Sequence, residues 1–218
     1  MPDYLTLIKD KEQEQGELDA RMQRDADLVY LKPYVMRDGN QVKVPDIINI
    51  TLNRPAIFAA SVISALGGAS QQTIVESDDK HLDTHEIEQF QEAAFASADA
   101  LLMKMAGQAL LNPFADTQFC FRGRSARRVL FRIQGGWNTQ IIPDITPWDG
   151  RYVTYEAGQD RLLWAAYKTT RSKAKIEAEY GIIIKGKESV VRDVWDTERN
   201  EVWVDSKKIL EQEHGYGE

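Results

Sequence analysis

At 218 residues and 24.8 kDa the chain is long enough to bury a substantial core, as one large domain or as one domain with appendages. A net charge of -7 and a pI near 5.1 argue against a surface coated with base for duplex DNA, because phosphate neutralisation needs clustered Lys and Arg. The single cysteine, Cys120, excludes an intrachain disulfide framework, and its place between Phe119 and Phe121 predicts burial in a strand.

Residues 3–27 are polar and charged, with Leu5, Leu7, Ile8, Leu18 and Met22 too sparse for a strong apolar stripe. They predict an exposed or loosely docked helical arm, residues 1–27, ordered by a neighbour. The start of the chain lacks the basic and apolar blocks of a signal peptide, and no apolar run has membrane-spanning length. A soluble, unsecreted protein is expected. Residues 28–44 switch to strand period, with Leu28-Val29-Tyr30-Leu31, Val35-Met36, the turn residues Asp38-Gly39-Asn40, then Val42 and Val44, and predict a hairpin. Ile47–Leu52 is apolar and β-branched, and Asn53-Arg54-Pro55 interrupts it. Ala56–Leu66 reads as a buried core helix stopped by Gly67-Gly68.

Ile87, Phe90, Ala94, Ala98, Leu101 and Met105 recur at intervals of three and four. They predict a long amphipathic helix, capped by Asp83 with Glu86 three residues on and ended by Asn112-Pro113. Beyond Pro113 the chain turns β-rich. Short strands are expected at Gln118–Phe121, Val129–Gln134, Thr139–Ile142, Arg151–Glu156, Leu162–Tyr167, Ala178–Ile184, Val190–Asp196 and Glu201–Asp205. Gly135-Gly136, Asp149-Gly150, Gly158, Gly186 and the Thr197–Asn200 loop separate them. Helices first and antiparallel hairpins after give an α+β class, with one domain over 28–218 that is helical over 56–112 and β-rich over 117–205.

The candidate chemistry is sparse. His81, Asp83, His85 and Glu86 invite a metal test, but the spacing matches neither a zincin nor a calcium loop, and acids at a helix start answer to the macrodipole. There is no Gly-x-Ser-x-Gly elbow, no Walker lysine spacing and no G-x-G-x-x-G loop, so acyl transfer and nucleotide binding are unsupported and no cofactor is expected.

Charge is segregated. Residues 116–133 hold Arg122, Arg124, Arg127, Arg128 and Arg132 against Asp116 alone, whereas residues 76–92 hold seven acids against Lys80. Poles of opposite sign suit head-to-tail self-association and equally an ordinary solvated surface. Arg122, Arg124, Arg127 and Arg128, with a second basic stretch that includes Lys173 and Lys175, are the candidate contacts to DNA or to a neighbouring subunit. Trp137, Trp148, Trp164, Trp195 and Trp203 read as core or interface residues rather than platforms for bases.

Residues 143–167 combine Pro143, Pro147, Asp149-Gly150 and the run Tyr152-Val153-Thr154-Tyr155 into a hairpin signal that ends at Trp164. The phrases Trp148–Glu156 and Leu162–Ala166 resemble tailed-bacteriophage portal proteins. So do residues 45–55, the Arg122-Gly123 loop with Arg127-Arg128, and Asp193–Asp196 leading into Glu201–Val204. The resemblance covers most of residues 28–217 and points to the N-terminal wing region. It implies a non-enzymatic structural virion component, a homo-oligomeric ring at a capsid vertex that is assembled in the host cytoplasm. Viral double-stranded DNA is packaged and ejected through such a ring, and terminase, capsid and head-tail adaptor proteins dock on it. Portals run on into stem helices, a clip and a tunnel loop, so the resemblance implies a fragment or a short relative. Two other readings are carried forward: a metal-dependent nuclease using Asp78, Asp79 and Asp83, and an adaptor that binds another protein through residues 1–27.

Overall fold

The computed structural model describes residues 3–69, 74–78, 81, 83–104, 110–134 and 140–215. It is an α+β fold with antiparallel sheets. The chain divides into two compact units: Met1–Ala20 joined with Asp149–Glu218, and Arg21–Trp148. That division does not follow the expected one of an arm over 1–27 and a domain over 28–218, because the first helix belongs to a sheet built from the last third of the chain.

In this sheet unit, β3 (Val153–Ala157), β4 (Leu162–Ser172), β5 (Glu188–Asp196), β6 (Arg199–Val204) and β7 (Lys207–Glu213) pair antiparallel in sequence order. The β3–β4 hairpin expected from residues 152–164 is present, with Tyr155 opposite Ala165 and Gly158 N–H donating to the Arg161 carbonyl at 2.8 Å. The β5–β6 hairpin is present too, with Val194 opposite Glu201. β7 escapes sequence reading because Lys-Lys-Ile-Leu-Glu-Gln-Glu is mostly polar, as suits an edge strand that among the described residues pairs only with β6.

Helix α1 (Tyr4–Glu14) starts where the Asp3 carboxylate accepts from Leu5 N–H. It is helical, as expected, but seated on the sheet rather than the exposed or loosely docked arm expected from its polarity. Tyr4, Leu5 and Ile8 are buried, and Tyr4 and Ile8 pack with Trp164, Ala166 and Val194 on one face of the sheet. Few apolar residues suffice because Tyr4, Ile8 and Glu12, four apart, share one helix face. The other face carries α6 (Lys173–Tyr180), where the sequence predicts a strand over Ala178–Ile184. Ser172 caps this helix, and Gly181 closes it in the left-handed conformation at φ 67°. Ile176 is fully buried against Val191, Val202 and Val204.

The second, helical unit holds most of the differences from expectation. Leu28 and Val29, predicted in a strand, end α2 (Gly16–Val29), where Met22 and Ala26 are buried one turn apart. Of the 28–44 hairpin only the tip forms. The Asp38 carboxylate accepts from Asn40 and Val42 N–H at 2.9 Å each, and one bridge joins Arg37 to Lys43. Helix α3 (Arg54–Gly67) forms as expected but is not a core helix, since Ala59 is its one buried residue.

Helix α4 (Thr84–Met103) begins at Asp83, whose carboxylate accepts from His85 N–H at 3.0 Å. Its buried stripe is Ala94, Ala98 and Leu102, one position away from the expected Leu101, while Phe90 stays exposed. The expected stripe member Met105 lies outside the described residues. Asn112-Pro113 does not end this helix; it opens α5 (Leu111–Arg122), since proline in a first turn removes only a donor that would be orphaned anyway. The predicted strand Gln118–Phe121 is therefore helical, and Cys120 is half-buried in α5 with its thiol 3.9 Å from the Ala59 carbonyl.

β1 (Ala126–Gln134) and β2 (Gln140–Trp148) form a two-stranded ribbon with Val129 opposite Ile145. β2 has one neighbour, which leaves a free edge for Pro143 and Pro147. The expected turn at Gly135-Gly136 and Trp137 lie outside the described residues. Ile145 packs against Ala98, Leu102 and Leu111 to form the core of this unit.

The two cores of the sheet unit are open to test. Ile8→Ala and Ile176→Ala each delete a side chain with at most 1% exposure and are expected to cost about 2–4 kcal/mol. Urea unfolding followed by tryptophan fluorescence checks both, since Trp164 sits in the Ile8 cluster.

Candidate functional site

The Arg segment leaves α5 through Gly123, which holds φ 71° and so turns the chain in a conformation that favours glycine. The side chains around it are tied down. Arg122 donates to the Met22 carbonyl at 2.7 Å and lies 5.3 Å from the centre of the Phe121 ring. Arg127 sits 5.0 Å over Phe95 of α4. Arg128 lies 3.5 Å from the Asp144 carboxylate, which also takes Arg132 in a close ion pair. Arg124 is half-buried. Four of these arginines, Arg122, Arg127, Arg128 and Arg132, thus divide among a carbonyl, aromatic faces and a carboxylate across the ribbon. The acidic and basic poles are also neighbours, since Phe90 of α4 stacks on Phe131 of β1 with ring centres 6.1 Å apart.

His81, Asp83, His85 and Glu86 do not converge. Asp83 is spent on the helix cap, and His85 contacts Gln89 and Glu88. Among the described residues no three His, Cys, Asp or Glu side chains group to hold a metal ion. Asp79, one of the three acids of the nuclease reading, lies outside the described residues.

In the sheet unit, Lys173 and Lys175 occupy the first turn of α6, and Lys175 lies 4.0 Å from Glu179. Trp164 is buried, and the indole N–H groups of Trp195 and Trp203 donate to Asp193 at 2.8 Å and Glu201 at 2.9 Å. These three tryptophans are structural, as expected.

The densest polar constellation was not anticipated. At the β5–β6 turn the Asp196 carboxylate accepts from the N–H groups of Glu198 and Arg199 at 2.7 Å each, and from the Tyr4 hydroxyl of α1 at 2.7 Å. The Arg199 guanidinium lies 3.3 Å from Asp196, 3.4 Å from Glu201 and 2.9 Å from Glu211, and sits over the Tyr4 ring at 5.6 Å. Lys208 joins Glu201 at 3.4 Å and Glu211 at 2.6 Å. About two turns along, Glu12 of α1 reaches Arg192 at 3.2 Å and Lys168 at 3.2 Å. Strand alternation explains the meeting: Arg199 and Glu201 share one face of β6, and Glu211 stands opposite Glu201. The two-residue spacing of Arg199 and Glu201 is the one local sequence signal for it.

The network sets ionisation. Burial, and then the hydrogen bond to ionised Asp196, push the Tyr4 hydroxyl up to about 12. Burial opposes ionisation of Asp196, yet the Tyr4 hydroxyl, two backbone N–H groups and Arg199 outweigh it and hold this carboxyl below its usual range. The hydrogen bond to Lys208 likewise holds Glu211 low. Every charge in the cluster has a partner of opposite sign, so the arrangement fastens a helix to a sheet.

A comparison with known protein families finds no family model that matches the chain, and a comparison with curated proteins finds no match. Among the described residues no helix is long and apolar enough to cross a membrane.

Tyr4→Phe tests the fastening, with an expected loss of about 1.5 kcal/mol, the lower end for a hydrogen bond to a charged group, because Asp196 keeps other donors. Above pH 10 the unfolded tyrosine loses its proton first, so the Tyr4 contribution is full below pH 10 and lost as pH rises through about 12. Urea melts from pH 9 to pH 12 are expected to show a steeper fall for the parent chain than for Tyr4→Phe.

Proposed function

We propose that the chain is a structural virion component, the wing region of a phage portal, working through assembly rather than catalysis. The observation that carries this reading is an exposed apolar surface on the helical unit. In the extended segment before α3, Ile48, Ile50 and Leu52 alternate and are 88%, 68% and 67% exposed, and Phe58 in α3 is 69% exposed. The intervening Asn49 and Thr51 accept from the Met36 and Tyr34 N–H groups at 2.7 and 3.0 Å, so the segment is held with its apolar side outward. Soluble monomers rarely keep such a stripe uncovered.

In this reading the partner over the stripe is a neighbouring copy in a homo-oligomeric ring at a capsid vertex. Terminase, capsid and adaptor proteins dock on the ring, and viral double-stranded DNA passes through its channel. The α+β fold, the portal-like phrases over residues 45–55 and 143–167, and charged residues committed to one another fit a part whose specificity lies in its surfaces. Residues 3–27 do not supply a free docking arm for the adaptor reading, since Tyr4, Leu5, Ile8, Met22 and Ala26 are buried.

Mass photometry and light scattering across micromolar concentrations test the proposal. The parent chain is expected to associate with rising concentration, and the exposed-site variant Ile48→Asp/Ile50→Asp/Leu52→Asp to remain monomeric with an unchanged circular dichroism spectrum. A parent chain that stays monomeric throughout, or a variant that associates equally, counts against it.

A further inference from the structure

The end of the sheet at which β4 passes into α6 gathers four lysines, three of which have no acid within ion-pair distance among the described residues. Ser172 of β4 stands opposite Glu188 of β5, and Lys173 N–H donates to the Lys187 carbonyl at 2.9 Å, so the first turn of α6 and the approach to β5 lie side by side. This places Lys173 beside Lys187, with Lys175 and Lys185 each two residues further along their own segments. Among the described residues no carboxylate comes within ion-pair distance of Lys173, Lys185 or Lys187, and Lys175 has only Glu179 at 4.0 Å, a group that Arg171 already holds. Between residues 168 and 188 six cations face three carboxylates, on a chain whose net charge is -7. Arg122, Arg127, Arg128 and Arg132 of the helical unit are committed within the fold; Lys173, Lys185 and Lys187 are not.

We propose that this lysine cluster binds the phosphate backbone of double-stranded nucleic acid without reading its sequence. Lysine heads are flexible point charges that position a phosphate chain, and sequence reading would need side chains aimed at base edges. A single strand would call for aromatic stacking platforms, and here Tyr180 is half-buried with its hydroxyl accepting from Arg171 at 3.0 Å. The N-terminal end of α6 adds its positive dipole to the same side. With up to four phosphates neutralised against an acidic background, binding is expected to be weak and steeply salt-dependent, with a log-log slope of about -3.6 at most. The inference is independent of the assembly reading, because a monomeric chain would show it equally.

Fluorescence anisotropy of the full chain with a labelled duplex of mixed sequence tests it. Affinity is expected to fall by about a hundredfold between about 50 and about 200 mM salt. Lys173→Glu/Lys175→Glu/Lys185→Glu/Lys187→Glu is expected to lower it more than tenfold at low salt. An equal charge change at the exposed cations Lys9, Arg21, Arg24 and Lys43 is expected to lower it several-fold less. Should the quadruple variant lose its circular dichroism spectrum, Lys185→Glu/Lys187→Glu, confined to the loop before β5, gives the same comparison. Absence of duplex binding at low salt overturns the proposal, as does equal loss from the scattered control. So does tighter binding of the single strand, or binding of labelled poly-glutamate as tight as that of the duplex, which would make the cluster a site for acidic protein.

Discussion

The sheet unit depends on one contact, the seating of α1 on a sheet whose strands come from the other end of the chain. Tyr4 stands 192 positions from Asp196, and Glu12 stands 180 from Arg192. Closing such a loop costs entropy that local contacts cannot offset. It is met by the burial of Tyr4 and Ile8 and by ion pairs at both ends of the helix stripe. Removing either charged partner would strand its mate in a site that water reaches poorly, so the pairs act mainly to make one docking geometry better than its neighbours. The Tyr4 hydroxyl is the hinge between the two kinds of contact, since its ring lies against Trp164 and its oxygen on Asp196.

The two units use their residues differently. The sheet unit has a face for each helix, α1 on one side and α6 on the other, and its valines at 191, 194, 202 and 204 are buried. The helical unit has a thin core of Ala98, Leu102, Leu111 and Ile145 and exposes Ile48, Ile50, Leu52, Ile57 and Phe58. An unfinished surface of this kind is what assembly through a partner requires and what a self-sufficient domain avoids. The proposed portal role rests on that contrast together with the portal-like phrases in the sequence.

Charge illustrates how far composition carries. The Arg122–Arg132 segment and the acids of residues 76–92 look like free poles when counted along the chain. In space Arg127 lies on Phe95, and Arg128 and Arg132 meet at Asp144. The lysines around α6 are less dense in sequence, yet three of them keep no ion-pair partner among the described residues. Which cation remains available to a ligand is decided by what each meets across a strand or helix, and counting cannot supply that.

What the sequence determined by itself was confined to features set by near neighbours in the chain. The α+β class, the β3–β4 and β5–β6 hairpins, the Asp83 cap and helix, and the glycine stop after α3 follow from period, turn residues and caps, which are local. The tertiary structure decided the rest. Leu28-Val29, Gln118–Phe121 and Ala178–Tyr180 have strand-like composition but are helical, where burial of Met22, Phe121 and Ile176 favours helix over intrinsic preference. It also turned a polar N-terminal stretch into a docked helix, and seven-residue β7 into an edge strand. The Tyr4–Asp196–Arg199 network belongs to the same class, because its members meet only when opposite ends of the chain do, and no local pattern encodes a partner almost two hundred residues away.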